Sequence, residues 1–395
     1  MIEIQDKTKC CGCSACANVC PVTAIKMEPD EEGFLYPNVD TDTCINCGKC
    51  NRVCPIINVT EPTPFERKVY ICQNKNEKIR LDSTSGGAFS ALAKYVIDRN
   101  GYVFGAEFDE NWTVIHGYTQ NEDDLGRFRG SKYVQSNAGD SFRLVKEFLE
   151  ENQWVLFTGT PCQVEGLHNF LGKEYEKLIL MDIVCFSISS PGVWKAYLSH
   201  LETTGKIDIS KVKRIKFRDK TKYGYEYTLM TFYDENGEEL YSSGPESNQM
   251  LRSFVSNTST RPSCYDCKFK KVNRVSDFTA WDCYNVYKYD TNLDDNKGTS
   301  HILIHNQKAE DMLEELDSSL LFKNVGLEKA VMSEPAMIQC AEPNEKRAQF
   351  FQKFEEEDPF NVFFQESAKT RIERTLRKNL SKLGLYRFIK RMIKK

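Results

Sequence analysis

The chain has 395 residues, enough for two or three domains, and its 40% hydrophobic and 28% charged residues are ordinary for a globular protein. The net charge of −4 is unevenly distributed, because residues 369–395 carry eleven Lys and Arg against one Glu and the remainder is acidic. The acidic remainder excludes nucleic acid as an expected partner. No apolar stretch is long enough to span a bilayer, and sixteen cysteines without a secretory signal favour a cytoplasmic protein that uses thiols to bind metal.

Residues 1–58 contain the same cysteine pattern twice, 34 residues apart: Cys10-x2-Cys13-x2-Cys16-x3-Cys20-Pro21 and Cys44-x2-Cys47-x2-Cys50-x3-Cys54-Pro55. This is the run of bacterial ferredoxins, in which the fourth cysteine of each copy ligates the cluster of the other copy. We therefore predict two [4Fe–4S] clusters, one on Cys10, Cys13, Cys16 and Cys54, the other on Cys44, Cys47, Cys50 and Cys20. Zinc sites are a less suitable interpretation, because zinc binds four thiolates and these eight thiols come in groups of three. Disulfides are also less suitable, because they are typical of small secreted domains.

The coarse pattern predicts an α+β protein. Residues 24–27 and 33–36 have the character of two short strands inside the ferredoxin domain, and residues 59–66, with two prolines, form the predicted linker. Residues 67–335 alternate strand-like and helix-like runs, which favours a mixed α/β domain over a simple doubly wound sheet. The clearest elements are a helix over residues 88–98 and strands over residues 154–157, 178–184 and 300–304.

Two polar loops have the composition of an anion-binding site. Ser83-Thr84-Ser85-Gly86-Gly87 directly precedes a predicted helix, whose N-terminus would favour a phosphate. A serine-rich helix cap is the alternative interpretation. Arg129-Gly130-Ser131-Lys132 adds cations that would either pair with a pyrophosphate or be solvated.

Four further cysteines come from three parts of the chain. Thr158-Gly159-Thr160 follows a predicted strand, where α/β proteins bind ligands, and Pro161-Cys162 then begins a helix, where a thiolate is favoured. Cys185 follows the next strand, and Cys264-x2-Cys267 lies in a polar loop. From spacing alone, a further four-thiolate metal site and ordinary small buried side chains both remain open.

From Ser83 to Val286 the chain resembles the beta-subunit family of coenzyme F-420 hydrogenases and dehydrogenases, in which an N-terminal double ferredoxin is a common fusion. The matching runs are Ser83–Gly87, Phe128–Tyr133, Thr158–Gln163, Asp182–Cys185, Arg261–Cys267 and Ser276-Asp277. The resemblance implies a third [4Fe–4S] cluster on Cys162, Cys185, Cys264 and Cys267. It also implies FAD bound by the polar loops, for which we predict Ser85, Gly86, Gly87, Arg129, Gly130, Ser131, Lys132, Thr158, Gly159 and Thr160.

Two positions depart from the family pattern. Phe186 replaces the histidine that usually follows the strand cysteine, and Asn285 replaces the glycine of the family's Asp-Phe-Trp-Gly run. Loss of a histidine removes a candidate proton donor, and loss of a glycine changes how closely the backbone approaches a ligand. The resemblance therefore implies the cofactors more firmly than the substrate, and it assigns no catalytic residue.

The sequence as a whole predicts an iron–sulfur flavoprotein oxidoreductase. It would pass electrons between the [4Fe–4S] clusters and FAD, and on to an unidentified organic or deazaflavin acceptor. One alternative is an electron-transfer subunit of a larger redox complex with no substrate site of its own. The other is a scaffold with structural clusters. The expected partner is a redox protein or a small-molecule electron acceptor.

Residues 336–395 form the predicted C-terminal extension, which ends in a basic amphipathic helix. Its apolar residues recur at helical spacing among the basic ones: Ile372, Leu376, Leu380, Leu383, Tyr386, Ile389 and Ile393. Such a helix suits peripheral contact with an anionic membrane. A helix packed on the acidic body and a solvated tail are the alternatives, and Gly384 should interrupt the helix.

Overall fold

The computed structural model describes residues 1–354 and 358–393, which form a two-stranded, a three-stranded and an eight-stranded sheet with surrounding helices. The strands are β1 Ile25–Pro29, β2 Leu35–Val39, β3 Lys68–Asn74, β4 Tyr102–Phe108, β5 Val114–Thr119, β6 Val155–Gly159, β7 Leu178–Ile183, β8 Arg214–Asp219, β9 Leu229–Tyr233, β10 Glu239–Ser243, β11 Phe278–Asp282, β12 Ser300–Ile304 and β13 Leu320–Val325.

The helices are α1 Ala15–Val19, α2 Lys49–Arg52, α3 Glu77–Asp82, α4 Ala88–Ile97, α5 Ser141–Glu150, α6 Pro161–Leu171, α7 Pro191–Thr203, α8 Gln249–Val255, α9 Gln307–Glu315, α10 Leu327–Met332, α11 Arg347–Lys353, α12 Pro359–Phe363, α13 Ala368–Lys382 and α14 Tyr386–Ile393. Short 3-10 turns, such as Pro262–Asp266, connect several of them.

The large sheet has the strand order β13-β3-β12-β11-β7-β6-β4-β5. Its central strands β11, β7, β6 and β4 are parallel neighbours, and the outer pairs are antiparallel. This mixed arrangement confirms the expectation of an α/β domain that is not a simple doubly wound sheet. Because parallel strands end at the same edge, the residues that follow β6, β7 and β11 lie close together, and this edge holds the candidate site.

Helix α4 shows how the local sequence builds that edge. The helix begins after Gly87, whose φ of +84° is in the left-handed region that glycine tolerates at little cost. Leu92 and Val96 are fully buried against the core below β3 and β4, and Phe89 and Ile97 are partly buried there. The predicted helix over residues 88–98 is therefore confirmed, and its N-terminus faces the candidate site.

The N-terminal domain packs closely on the α/β domain. Helix α1 lies against α5 and α6, and a Cβ atom at Gly166 of α6 would lie 2.9 Å from Cys13 Sγ. The Arg143 guanidinium of α5 donates to the carbonyl of Asn18 at 2.8 Å. Residues 59–66, the predicted linker, contain no helix or strand, and the Thr60 amide donates to Glu165 of α6 at 2.9 Å.

The C-terminal extension first adds to the core and then crosses the surface. Four phenylalanines of α11, α12 and the residue after α12 join the core of the three-stranded sheet: Phe350, Phe351, Phe360 and Phe364. Helices α13 and α14 follow, separated at Gly384, whose φ is +69°. The predicted interruption is confirmed for the described residues; Lys394 and Lys395 lie outside them.

The contacts of this tail differ from its predicted apolar stripe. Of the predicted stripe, Ile372, Leu376 and Leu383 are exposed. Basic residues make the ion pairs instead: Lys390 lies 2.8 Å from Glu226, and Arg391 lies 2.9 Å from Asp294, with Arg387 pairing to the same aspartate. The acidic body attracts the cations of α14, and of the stripe Tyr386 packs on Tyr227 of the body, with ring centroids 5.4 Å apart. In residues 1–354 and 358–393, no helix is long and apolar enough to cross a membrane.

Candidate cofactor-binding site

Four of the N-terminal cysteines line a small cavity near the surface: Cys20, Cys44, Cys47 and Cys50. Cys47 is exposed, whereas Cys50 is buried. Backbone amides approach two of the thiols, since Ala24 N donates to Cys20 Sγ at 3.3 Å and Ile2 N donates to Cys50 Sγ at 3.2 Å. The structure thus brings Cys20 close to the three cysteines of the second run, as the predicted ligand set requires. Hydrogen bonds from amides to cysteine sulfurs also affect the reduction potential of a cluster.

The other N-terminal set lies deeper, towards the α/β domain. Cys13, Cys16 and Cys54 are buried. Burial raises the pKa of Cys16, and the nearby Cys10 and Cys54 thiols raise it further. Cys10 and Cys54 are thus neighbours of Cys16, as the predicted ligand set requires.

The third predicted set converges from three elements. Cys162 is the second residue of α6, Cys185 follows β7, and Cys264 and Cys267 lie in and after the 3-10 turn Pro262–Asp266. Burial raises the pKa of Cys264 well above its usual value, and the surrounding Cys185, Cys267 and Cys162 thiols add to this rise. All four line one cavity. Among the described residues, no group of three or more His, Cys, Asp or Glu is arranged to hold a single metal ion.

The two polar loops contact each other directly. The Ser131 amide donates to Thr84 Oγ1 at 2.7 Å, and the hydroxyls of these residues lie 3.2 Å apart. Gly130 has a φ of +85°, with no atom within 4 Å of where its Cβ would be, so the backbone here borders open space. Thr84 and Ser131 are 47 residues apart in sequence, and their loops form one polar wall beside the N-terminus of α4.

The cations of the second loop are not simply solvated. Arg129 Nε donates to Ser90 Oγ at 3.0 Å, and its Nη1 lies 3.6 Å from Asp82. Lys132 Nζ donates to the carbonyls of Arg127 and Gly130 at 3.1 and 3.3 Å. Burial lowers the pKa of Lys132 to about 8, although the charge of the nearby Glu107 opposes this shift. Its ammonium would therefore gain from an anionic ligand.

A cavity of about 460 Å³, the cofactor cavity, unites the predicted positions. Its volume lies within the range of ligand sites in proteins. The predicted flavin-binding residues on its wall are Ser85, Gly87, Arg129, Gly130, Ser131, Lys132, Thr158, Gly159 and Thr160, and the third cysteine set closes one side.

Gly86 is the predicted flavin-binding residue that does not line the cofactor cavity. Its amide donates to Ser300 Oγ at 2.9 Å and is thus already engaged within the protein. A Cβ atom at this position would lie 2.4 Å from the Cys72 carbonyl oxygen, so glycine is required for the close approach of the loop to β3 and β12. The structure gives Gly86 a packing role instead of a cavity contact.

Sequence motifs did not indicate two polar residues of the cavity wall, His116 of β5 and Arg218 of β8. His116 Nε2 lies 3.0 Å from the Thr158 carbonyl, and burial lowers its pKa to about 4, so the ring is neutral at pH 7. Arg218 pairs with Asp282. Within the described part of the chain, His116 Nδ1 and Arg218 Nη2 are buried without a hydrogen-bond partner. Neither residue lies in a recognisable motif, so only tertiary structure reveals them.

Arg261 joins the N-terminal domain to the site. Its buried guanidinium donates to the carbonyls of Cys10 and Leu35 at 2.9 and 3.0 Å and to Gln135 Oε1 at 2.9 Å. Thiols that become thiolates on metal binding would gain from this cation, and a positive charge beside a cluster affects its potential. Arg261 lies in a run that the family resemblance matched, although it was not among the predicted site residues.

The two departures from the family pattern have different surroundings. Phe186 lines the cofactor cavity and packs on Phe254, with ring centroids 5.4 Å apart. It places an apolar ring where the family has a histidine. Asn285 has a φ of −106°, which any residue adopts, so its backbone conformation does not require glycine.

Two family models and one curated relative match parts of this chain. Residues 152–328 match the family model for the C terminus of the beta subunit of coenzyme F420 hydrogenase/dehydrogenase, and residues 9–57 match the 4Fe-4S dicluster domain. A curated relative, the coenzyme F420-dependent sulfite reductase of Methanocaldococcus jannaschii, is 31% identical over 167 residues, which make up 42% of this chain and 26% of the relative. The chain thus matches about a quarter of that relative's length.

Among solved structures, a chain from the F420-reducing [NiFe] hydrogenase complex of Methanosarcina barkeri is similar with a TM-score of 0.44 and 15% identity, covering 78% of this chain and 96% of that one. The two family matches include both N-terminal cysteine runs and the segments that carry the third cysteine set. Residues 152–328 are therefore similar to the C-terminal regions of coenzyme F420 hydrogenase and dehydrogenase beta subunits, and residues 9–57 to the 4Fe-4S dicluster domain, as the sequence resemblance predicted.

Proposed function

We propose that this protein is an iron–sulfur- and FAD-dependent oxidoreductase that passes electrons between its clusters and the flavin, and on to an organic or deazaflavin acceptor. One observation carries the proposal: a single cavity is lined by both polar loops and by four converging cysteines. A flavin exchanges electrons singly with iron–sulfur centres and in pairs with organic molecules, so the two cofactors need to be neighbours.

The donors around the cavity suit a flavin pyrophosphate. Ser85, Gly87 and Ser131 lie beside the N-terminus of α4, where backbone amides and the helix dipole favour negative charge. Lys132 supplies an ammonium whose neighbours are carbonyl oxygens. The unpaired His116 Nδ1 offers a further polar contact to a bound ring. Apolar side chains such as Phe89 and Phe186 would exclude water from it.

We assign the thiol ligands as the sequence predicts. The outer cluster takes Cys44, Cys47, Cys50 and Cys20; the inner cluster takes Cys10, Cys13, Cys16 and Cys54; and the third takes Cys162, Cys185, Cys264 and Cys267. Cys13 lies against Gly166 of α6, and Cys162 is the second residue of the same helix, which supports an electron path from the inner to the third cluster. The proposed order is outer cluster, inner cluster, third cluster and flavin, in either direction.

The alternative of an electron-transfer subunit is favoured by one observation. The outer cysteine set lies at the surface, where Cys47 is exposed, and Ile45 and Ile57 nearby in sequence are 61% and 58% exposed. Exposed apolar residues beside a redox centre suit contact with a protein partner. Such a partner is compatible with both functions, because electrons must reach the outer cluster from elsewhere.

Peripheral membrane contact through α13 and α14 stays a prediction. The exposed Leu383, Phe388 and Met392 support it. The ion pairs of Lys390 and Arg391 with Glu226 instead favour the alternative, a helix packed on the acidic body.

The cofactor content of anaerobically purified protein tests the proposal. Three four-iron clusters correspond to about twelve iron and twelve sulfide per chain, with one FAD. In Cys264→Ser, iron should fall to about eight, and reduction of the flavin through the N-terminal clusters should slow. Cys340→Ser is the matched control: Cys340 Sγ accepts a hydrogen bond from the Cys267 amide at 3.3 Å but is not a proposed ligand. A single zinc without sulfide, or equal iron in both variants, would contradict the assignment.

A further inference from the structure

A second cleft shares the loop of residues 129–132 and Arg218 with the cofactor cavity. We call it the basic cleft. It has a volume of about 760 Å³ and is lined by residues 108–112, 126–127, 129–132, 209–210 and 212–218, together with Asp82. This volume lies within the usual range of small-molecule sites. Neither the predicted flavin site nor the ferredoxin domain accounts for this cleft.

The lining of the basic cleft is strongly cationic. Its basic residues are Arg127, Arg129, Lys132, Lys213, Arg214, Lys216 and Arg218, whereas its acidic residues are Asp82, Asp109 and Glu110. Asp82 alone faces three of the cations: Lys216 Nζ at 2.9 Å, Arg129 Nη1 at 3.6 Å, and Arg214. The three cations lower the pKa of Asp82 in spite of its burial. Glu107 and Asp282 pair with Arg127 and Arg218, but the cations of the cleft remain in excess, so the cleft attracts anions although the protein is acidic as a whole.

One cation that the basic cleft shares with the cofactor cavity, Arg218, has an unused donor. The Arg218 side chain is only 8% exposed and pairs with Asp282 through Nη1. Its Nη2 is buried and has no hydrogen-bond partner among the described residues. Leaving a buried charged donor unpaired is costly, and a ligand oxygen would remove that cost.

Aromatic rings line the other end of the basic cleft. The rings of Phe108 and Trp112 are 5.6 Å apart and nearly perpendicular. Trp112 has a φ of +61°, a left-handed conformation that bulky residues rarely adopt. The Asp109 carboxylate holds this turn by accepting from the amides of Asn111 and Thr113 at 2.9 and 2.8 Å. Strain retained in this way is typical of binding sites, and here it fixes the position of an indole beside the cations.

We propose that the basic cleft binds a nucleoside diphosphate or triphosphate as a second ligand, separate from the flavin. The planar base would pack against Phe108 and Trp112, and the phosphates would contact Lys213, Arg214 and the Arg218 donor. Guanidinium groups bind phosphate oxygens with paired, charge-assisted hydrogen bonds. The AMP half of FAD also carries a planar base and a phosphate, so the experiment must distinguish binding of a free nucleotide from binding of FAD.

The test uses the full-length protein as purified with its cofactors, and ADP as the probe. Isothermal titration should show binding that weakens as salt is raised, together with quenching of indole fluorescence that is lost in Trp112→Phe. The double variant Lys213→Glu/Arg214→Glu should bind ADP at least about tenfold more weakly, since two cations become anions. Both side chains lie in exposed positions, so the variant should fold. Flavin content should not change.

Lys211→Glu is the matched control. Lys211 is two residues from Lys213, its side chain is 68% exposed, and it pairs with Asp208 outside the basic cleft. This variant should bind ADP as the unaltered protein does. The proposal is overturned if ADP binds only after flavin removal, if FAD displaces it, if it does not bind, or if the double variant and the control bind equally. Flavin content is measured separately, so failure of the flavin proposal would be seen independently.

Discussion

Replacement of Lys132 by Met removes the cation that we place beside the flavin phosphates. Charge-assisted hydrogen bonds contribute about 1.5–3 kcal/mol. Losing one should therefore weaken FAD binding to the flavin-free protein about 10- to 150-fold. The hydrogen bonds of Lys132 Nζ go to the carbonyls of Arg127 and Gly130, and the ammonium lies 5.8 Å from the centre of the Phe108 ring, so the variant breaks no ion pair with a carboxylate and the loss should appear in flavin affinity more than in folding.

The same residue predicts how flavin affinity depends on pH. Burial lowers the pKa of Lys132 to about 8, so the ammonium is present at pH 7 and mostly lost at pH 9. A phosphate partner stabilises the charged form, so FAD affinity should be constant below about pH 8 and fall by up to about tenfold per pH unit above it. In Lys132→Met this decline should be absent.

Equilibrium titration of flavin fluorescence at pH 6.5 to 9.5 measures both effects. Lys146→Met is the control, since Lys146 is half-buried on α5 and pairs with Glu150, away from the cofactor cavity. It should bind FAD as the unaltered protein does. Unchanged affinity in Lys132→Met, or an equal pH dependence in both variants, would refute the placement of the pyrophosphate at this loop.

Three other outcomes follow from the same structure. Cys13→Ala should remove one low-potential cluster signal from the electron paramagnetic resonance spectrum and leave flavin bound; loss of both N-terminal signals would argue against independent ligand sets. Phe360→Ala should lower the free energy of unfolding by about 3–5 kcal/mol because the ring is fully buried, whereas the exposed Val362→Ala should change it by less than about 0.5 kcal/mol in a denaturant titration. If α13 and α14 bind membranes, salt-sensitive sedimentation with anionic vesicles should disappear on deletion of residues 369–395; equal binding by the truncated protein would end that prediction.

The N-terminal dicluster domain could be predicted from the sequence because its chemistry is local. Three thiols spaced two residues apart on one loop already define most of a cluster site, and the repeat of that run supplies the fourth ligand. The helix that begins at Ala88 and the strand Ser300–Ile304 were likewise predictable, since glycine, hydroxyl residues and apolar runs determine them over short distances.

The other residues of the candidate site are distant in sequence, and only the tertiary structure shows that they lie together. Cys162, Cys185 and Cys264 are far apart in sequence, and they meet because α6 and β7 bring them to the same edge of the sheet. The contact between Thr84 and Ser131 and the unpaired donor of Arg218 have no local signal, since each depends on long-range packing. The C-terminal tail was predicted only in part. Its helical period was predicted correctly, but ion pairs with Glu226 and Asp294 determine that basic side chains face the body. Local spacing determines secondary structure and ligand loops, whereas long-range packing and charge determine which loops form one site.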